Sequence, residues 1–251
     1  MDHRISCGEY DDLRNVEGFT SQRRLPILGI VKTLLSLLLS LFMGAPTQAA
    51  EKDAPPIKDG KAAKLACVGD SITGGFGVTK GMSYPDQIAK MLGNNCEVRN
   101  FGLGGSYLLG YQSTEAFKNA KDFNPDVVVI MLGTNDVRPL AWKNSKPNFV
   151  RDYLSMIKQF SELPSKPRIF ICYPPTITEA DGSEENILEL IPLMDVVAKE
   201  TNAGIIDIHG AFKGKGELIP DKIHPNDAGQ TLIATTVYKA LTGNLPANHT
   251  H

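Results

Sequence analysis

The sequence predicts an α/β domain with a doubly wound parallel sheet. Three observations lead there. Five apolar runs recur between helix-like segments, the third of them, Val127 to Leu132, is apolar throughout, and the residues of chemical interest fall just past the ends of these runs. A strand covered on both faces, as parallel sheets require, reads as a continuous apolar run. Alternation of such strands with helices places helices on both faces of one sheet. In that architecture the functional crevice lies beyond the carboxyl ends of the strands.

The chain has 251 residues. Its first fifty read as a signal peptide or N-terminal leader: Arg23, Arg24 and Lys32 precede an apolar core from Thr33 to Met43, and small residues follow to Ala50. Cleavage is expected after Ala49 or Ala50. The core is short of the roughly 20 apolar residues that span a bilayer. A reading that extends it back to Leu25 gives a retained anchor instead. The protein is therefore expected to be exported, periplasmic or secreted, with membrane contact only through a retained leader. Residues 51–62 read as a linker, 63–243 as the domain and 244–251 as a disordered tail.

Within the domain the strands are expected at Lys64–Val68, Cys96–Phe101, Asp126–Leu132, Arg168–Tyr173 and Gly204–Ile208. The second alternates apolar and polar residues, which suits an edge. Ser83-Tyr84-Pro85 opens a helix with its proline early, and Gly93 stops it. Phe149, Tyr153, Ile157 and Phe160 recur at helical spacing over 148–162. A further helix runs from about Glu184 to Glu200, kinked or divided by Pro192. Asn226 caps a last helix that ends at Gly243.

Composition excludes some partners. With 26 basic and 28 acidic residues the net charge is −2, which leaves no electrostatic footprint for nucleic acid or an anionic membrane surface. Outside the leader, Cys67, Cys96 and Cys172 each fall in an expected strand, where buried free thiols are common. No Cys-x-x-Cys pair occurs, so neither a disulfide framework nor a zinc site is expected, and a single bridge stays open.

Four segments carry chemistry. Gly69-Asp70-Ser71-Ile72-Thr73 follows the first strand. A serine entering a helical turn there is an exposed nucleophile whose N–H and helix dipole favour negative charge, and the alternative is a capping serine. Asn100 to Ser106 contains a glycine bend in which Gly105 aims a main-chain N–H into the crevice; an ordinary strand-to-helix turn is the alternative. Ser106 misses the Gly-x-Ser-x-Gly elbow of a rival nucleophile. In Gly133-Thr134-Asn135-Asp136, Asn135 presents an amide N–H₂ to an oxyanion or serves an Asx-turn. In Asp221-Lys222-Ile223-His224-Pro225, three-residue spacing on a turn lets the carboxylate reach Nδ1 while Nε2 faces the serine. His209, in Asp207-Ile208-His209, is a rival base if both side chains share a strand face.

Jointly, Ser71, Gly105, Asn135 and His224, in this order and each beyond a different strand or before the last helix, resemble the four blocks of the SGNH (GDSL-type) hydrolase family over residues 64–243. The resemblance implies a three-layer α/β/α fold on a five-stranded flavodoxin-like sheet. It implies a catalytic triad of Ser71, His224 and Asp221, and an oxyanion hole from the Ser71 N–H, the Gly105 N–H and the Asn135 side chain. Gly104 departs from the serine or other small residue that many members carry. Arg99 to Gly102, Met131 to Asp136 and Tyr173-Pro174-Pro175 are most similar to secreted carbohydrate O-acetylesterases of the sialate O-acetylesterase-like group.

The expected activity is hydrolysis of carboxylic esters through an acyl-enzyme, on short O-acetyl esters of carbohydrates or another small-molecule ester, with no metal or organic cofactor. Arg138 is expected to meet a substrate carboxylate, and Tyr173, Phe76, Tyr107 and Trp142 are candidates for the crevice wall. Alternatives are a lysophospholipase or acyl-thioesterase of the same family and, from different chemistry, a metal-dependent phosphoesterase drawing on Asp70, Asp136, Asp207, His209, Asp221 and His224. A glycan-binding module without turnover is a third.

Overall fold

Five strands, β1 (Ala63–Gly69), β2 (Cys96–Gly102), β3 (Val127–Met131), β4 (Arg168–Cys172) and β5 (Gly204–Ile206), form one parallel sheet in the order β2-β1-β3-β4-β5. The computed structural model describes residues 63–244; the readings of the leader, the linker and all of the tail beyond Asn244 lie outside the described residues. β2 is at an edge, as its alternation requires, and β3 is central and buried along its whole length.

The period-2 geometry of a strand sends successive side chains to opposite faces. Ala66, Val68, Val128, Ile130 and Leu132 accordingly enter one core, and Leu65, Cys67, Val127, Val129 and Met131 the other. The first core is closed by α3 (Leu108–Tyr111), α4 (Glu115–Asp122), α6 (Phe149–Ser161) and α7 (Ser183–Thr201). The second is closed by α2 (Tyr84–Leu92), α8 (Ile208–Phe212) and α9 (Asp227–Thr242). The result is the three-layer α/β/α arrangement. Each fully buried large apolar side chain stabilises it by about 1.5–3 kcal/mol.

The expected helices form for the expected reasons. Ser83 caps α2, with Pro85 early in the helix and Gly93 at φ +57° ending it. Asn226 caps α9 through the Gly229 N–H at 2.9 Å, and Gly243 in the left-handed region closes it. α7 runs through Pro192 undivided. The carbonyl that proline leaves without its helical donor belongs to Leu188, a residue 58% exposed, so water can satisfy it.

Three expectations change. The fifth strand stops at Ile206, because Asp207 accepts the Gly210 N–H at 2.6 Å and starts α8. Asp207 and His209 therefore share no strand face. The open disulfide alternative closes as well, since Cys67, Cys96 and Cys172 are all free and buried. The fourth strand ends at Cys172, one residue short of Tyr173.

The strand order reverses direction between β1 and β3, the topological switch point at which doubly wound sheets hold their ligands. Ser71 follows β1, Gly105 follows β2 and Asn135 follows β3. All three meet at that point.

Candidate active site

Ser71 opens α1 (Ser71–Gly74), a single helical turn directly after β1. The cap is Asp70, not the serine: its Oδ1 accepts the Ile72 N–H at 2.9 Å, which leaves the Ser71 hydroxyl free for chemistry. Asp70 is fully buried, and burial pushes its carboxyl up to about 6 against the lowering pull of that N–H.

The turn is braced from three directions. From β2, Asn100 donates to the Thr73 carbonyl at 2.8 Å and accepts the Gly102 N–H at 2.8 Å. From α9, the buried Gln230 donates to the Ile72 carbonyl at 3.0 Å and accepts the Tyr84 N–H at 2.8 Å. The Thr73 and Tyr84 hydroxyls lie 3.2 Å apart beneath it. Gly102 permits the close approach, because a Cβ there would sit 2.2 Å from the Gly74 nitrogen. Asn100 and Gln230 escaped sequence reading: a polar residue on an amphipathic helix reads as solvent-facing, and only the Asn-x-Gly step before the glycine bend hinted at Asn100.

His224 reaches Ser71 from the loop before α9. Its Nε2 is 2.9 Å from Ser71 Oγ and its Nδ1 is 2.7 Å from Asp221 Oδ2. The turn that presents it is built by Asp221 itself, whose Oδ1 accepts the backbone N–H groups of Ile223 at 3.0 Å and His224 at 2.6 Å. Lys222 takes a left-handed φ of +74° to make this possible. Partial burial raises the Asp221 carboxyl, but those two N–H groups and the imidazole outweigh it and hold it below the ordinary carboxylate value. The Phe76 ring, itself exposed, tilts against the imidazole at 4.6 Å between centroids.

Gly105 and Asn135 stand in the loops that follow β2 and β3. Gly105 adopts φ +73° with open space at its Cβ position, and neither its N–H nor that of Ser71 has an acceptor among the described residues. Asn135 Nδ2 donates to the Ser106 carbonyl at 3.0 Å, which fixes the amide and leaves its second hydrogen available. Asp136 is buried and accepts the Leu108 N–H, at 3.0 Å through Oδ2. Burial pushes its carboxyl up to about 6, with the Leu108 N–H opposing and the charge of Asp70 adding. Thus the β3 loop holds the β2 loop at two points, and Gly104 faces the serine: a Cβ there would lie 3.9 Å from Ser71 Cβ.

Other nominated side chains are placed elsewhere. The Arg138 guanidinium pairs with Glu179 at 2.8 Å and Asp181 at 3.1 Å, so its charge is matched within the protein rather than offered to a substrate carboxylate. The Tyr173 hydroxyl donates to Asp195 on α7. Trp142 is buried, with its Nε1 donating to Glu189 at 2.8 Å. His209 Nε2 lies 3.5 Å from Glu184 Oε1, and the imidazole facing Ser71 is that of His224. Among the described residues no group of three or more His, Cys, Asp or Glu side chains is placed to hold a metal ion.

The model of the GDSL-like lipase/acylhydrolase family matches residues 67–232, from within β1 to within α9. Over 208 residues the chain is 33% identical to an acetylxylan esterase of Xylanibacter ruminicola, a match covering 72% of this chain and 43% of that protein. The chain thus spans less than half the length of that relative. The Bacillus subtilis protein YpmR is 23% identical over 247 residues, covering 87% of this chain and 96% of YpmR. Among solved structures, Axe2, an acetylxylan esterase from Geobacillus stearothermophilus, superposes with a TM-score of 0.62 at 22% identity, over 78% of this chain and all of that one. LAE5, an alpha/beta hydrolase enzyme from the metagenome of Lake Arreo, gives a TM-score of 0.56 at 22% identity, covering 72% of this chain and 96% of that one. At that identity the likeness to Axe2 and LAE5 is one of fold.

Proposed function

Because the chain belongs to the GDSL-like lipase/acylhydrolase family, we propose that it hydrolyses carboxylic esters through an acyl-enzyme on Ser71, with O-acetylated carbohydrates, acetylated xylan foremost, as substrates. The observation that carries this reading is the unbroken relay from Asp221 Oδ2 through the His224 imidazole to Ser71 Oγ, at 2.7 and 2.9 Å. Similarity to an acetylxylan esterase over most of the domain supports the carbohydrate substrate.

In the first half-reaction Ser71 Oγ attacks the ester carbonyl carbon while its proton passes to His224 Nε2. The carbonyl oxygen becomes an oxyanion, held by the N–H groups of Ser71 and Gly105 and the free amide hydrogen of Asn135. The tetrahedral intermediate collapses, His224 gives its proton to the leaving sugar oxygen, and the acyl group stays on Ser71. Water then attacks the acyl-enzyme with His224 again as base, releasing the acid and restoring the serine. Asp221 accepts Nδ1–H throughout, so Nε2 begins each half-reaction without a proton.

The composition of the leader supports export, periplasmic or secreted, where acetylated polysaccharide would be met. N-terminal sequencing of the product recovered outside the cytoplasm would reveal cleavage after Ala49 or Ala50.

The deciding experiment measures acetate release from acetylated xylan, acetylated xylo-oligosaccharides and acetylated sialic acid, beside lysophospholipid and p-nitrophenyl esters of increasing chain length. Acetate release from the carbohydrates, lost in Ser71→Ala, is expected. Preference for acyl chains beyond about eight carbons would overturn the carbohydrate reading, since each buried CH₂ adds about 0.8 kcal/mol only where an apolar groove receives it. Full activity in Ser71→Ala would overturn the serine mechanism.

A further inference from the structure

A cleft of about 260 Å³ opens beside the oxyanion loop, between the start of α3 and the segment joining α5 (Pro139–Ser145) to α6. We propose that it is a subsite for a sugar ring of the substrate adjoining the one that carries the acyl group; this rests on the carbohydrate-ester reading above.

Position comes first. The cleft and the candidate oxyanion donors share a wall: the segment that passes Ser71 at Gly104 and gives its Ser106 carbonyl to Asn135 continues into Tyr107, Leu108 and Leu109, which line the cleft. Asp136, next to Asn135, both lines the cleft and holds the Leu108 N–H. Three Cα–Cα steps lead from Gly104 to Tyr107, at most about 11 Å of backbone at roughly 3.8 Å per step. A chain with its ester at Ser71 therefore has a neighbouring unit within reach of the cleft.

Chemistry selects the occupant. A pyranose offers an apolar C–H face and a rim of hydroxyls, so its site needs an apolar plate together with unspent hydrogen-bonding groups. Tyr107 is 47% exposed and Leu109 57%, and the Tyr107 hydroxyl has no hydrogen-bond partner among the described residues. Across from them, the Asn148 side chain makes no hydrogen bond among the described residues, and the Asp152 carboxylate accepts from Arg151 through Oδ1 alone. An alkyl chain would leave the unpartnered Asp152 Oδ2 on the cleft wall without a donor, where a sugar hydroxyl supplies one.

The wider surface agrees. Of the seven large apolar side chains that stand exposed among the described residues, Phe76, Leu103, Tyr107, Leu109 and Leu140 all lie past the ends of β1, β2 and β3, while the other two are on α7. Exposed apolar surface gathered on one rim marks a contact surface.

The test uses unacetylated xylo-oligosaccharides of increasing length, titrated calorimetrically into the Ser71→Ala protein, and acetylated xylo-oligosaccharides as substrates of the active enzyme. Tyr107→Ala and Asn148→Ala are each expected to weaken oligosaccharide binding by about fivefold or more, the scale of one lost aromatic or polar contact. Each should also raise the KM for the acetylated oligosaccharide more than it lowers kcat. Leu188→Ala, on the exposed face of α7, should bind as the parent does. Two soluble, folded variants that bind and turn over oligosaccharide as the parent does would overturn the subsite. So would variants that shift the chain-length preference on p-nitrophenyl esters, since the cleft would then receive acyl chains. A parent enzyme that releases acetate from p-nitrophenyl acetate and from no carbohydrate would instead sink the carbohydrate reading itself.

Discussion

Asp221 grips His224 at two places at once: one carboxylate oxygen takes the His224 backbone N–H at 2.6 Å and the other takes Nδ1 at 2.7 Å. One residue thus shapes the turn and sets the tautomer. The turn and the tautomer can be separated by mutation. Asp221→Asn keeps an oxygen for the backbone but loses the acceptor for Nδ1–H, so the imidazole proton moves to Nε2, where it faces Ser71. We expect kcat/KM on p-nitrophenyl acetate to fall by about 10²–10⁴-fold, the range seen when an orienting carboxylate is lost from a serine triad. Thermal unfolding should move little. The same contacts hold the Asp221 carboxyl below its ordinary value, so its contribution is present above that value and is lost only as pH falls through the lower, folded one. A variant retaining more than a tenth of parental activity would show that the carboxylate does not set the tautomer.

Asn135 is expected to act only as charge develops. Its amide is already committed by one hydrogen to the Ser106 carbonyl, so it has no rotational freedom to lose when the oxyanion forms. Asn135→Ala should lower kcat by about 10²–10³-fold, roughly 3–4 kcal/mol, with KM nearly unchanged. Asn135→Asp should be worse, because a carboxylate repels both the Ser106 carbonyl and the oxyanion. Single-turnover acylation rates on p-nitrophenyl acetate would check this, and an unchanged rate in Asn135→Ala would remove the residue from the hole.

Which parts were legible follows from physical scale. The apolar run of β3 and the four chemical segments could be read because strand burial and turn chemistry are local. The four-residue helix at Leu108–Tyr111 is too short to show a period. Asp207-Ile208-His209 reads as strand because Ile206 to His209 alternates apolar and polar residues beyond Ile205, and the capping bond to Gly210 breaks it. Arg138 looked free to meet a substrate because its partners, Glu179 and Asp181, lie some forty positions away in the chain. Gln230 was invisible for the same reason. A buried polar clamp is defined by what it meets across the fold.

Two glycines near the site should fail differently when given a methyl group. At Gly102 a Cβ would meet the Gly74 nitrogen at 2.2 Å and the Thr73 carbonyl carbon at 2.6 Å, both backbone atoms that cannot swing away. Gly102→Ala should therefore displace α1, destabilise the fold by at least about 2 kcal/mol and lower kcat with it. At Gly105 the space is open and only the φ of +73° resists, a strain of about 1–2 kcal/mol. Gly105→Ala should thus cost less stability, and its activity loss should come from a turned N–H. Urea unfolding paired with kcat separates the two, and equal destabilisation would contradict the packing argument.

The buried carboxyls of Asp70 and Asp136 give the fold an uncommon pH dependence. Burial raises each from an ordinary 3.8 to about 6. The sign follows from proton counting: between those values the folded protein binds protons that the unfolded chain has released. Stability from these groups is therefore fullest below about pH 4 and declines as pH rises towards 6, by up to roughly 3 kcal/mol for each group at about 1.4 kcal/mol per unit. Asp136→Asn isolates one of them, since its amide oxygen can still accept the Leu108 N–H without carrying charge. We expect that variant to lose less stability than the parent between pH 4 and 6 and to be the more stable of the two at pH 7. Urea midpoints measured across that range decide it. Parallel curves for parent and variant would mean that Asp136 ionises without cost, and that the burial seen around it does not exclude water.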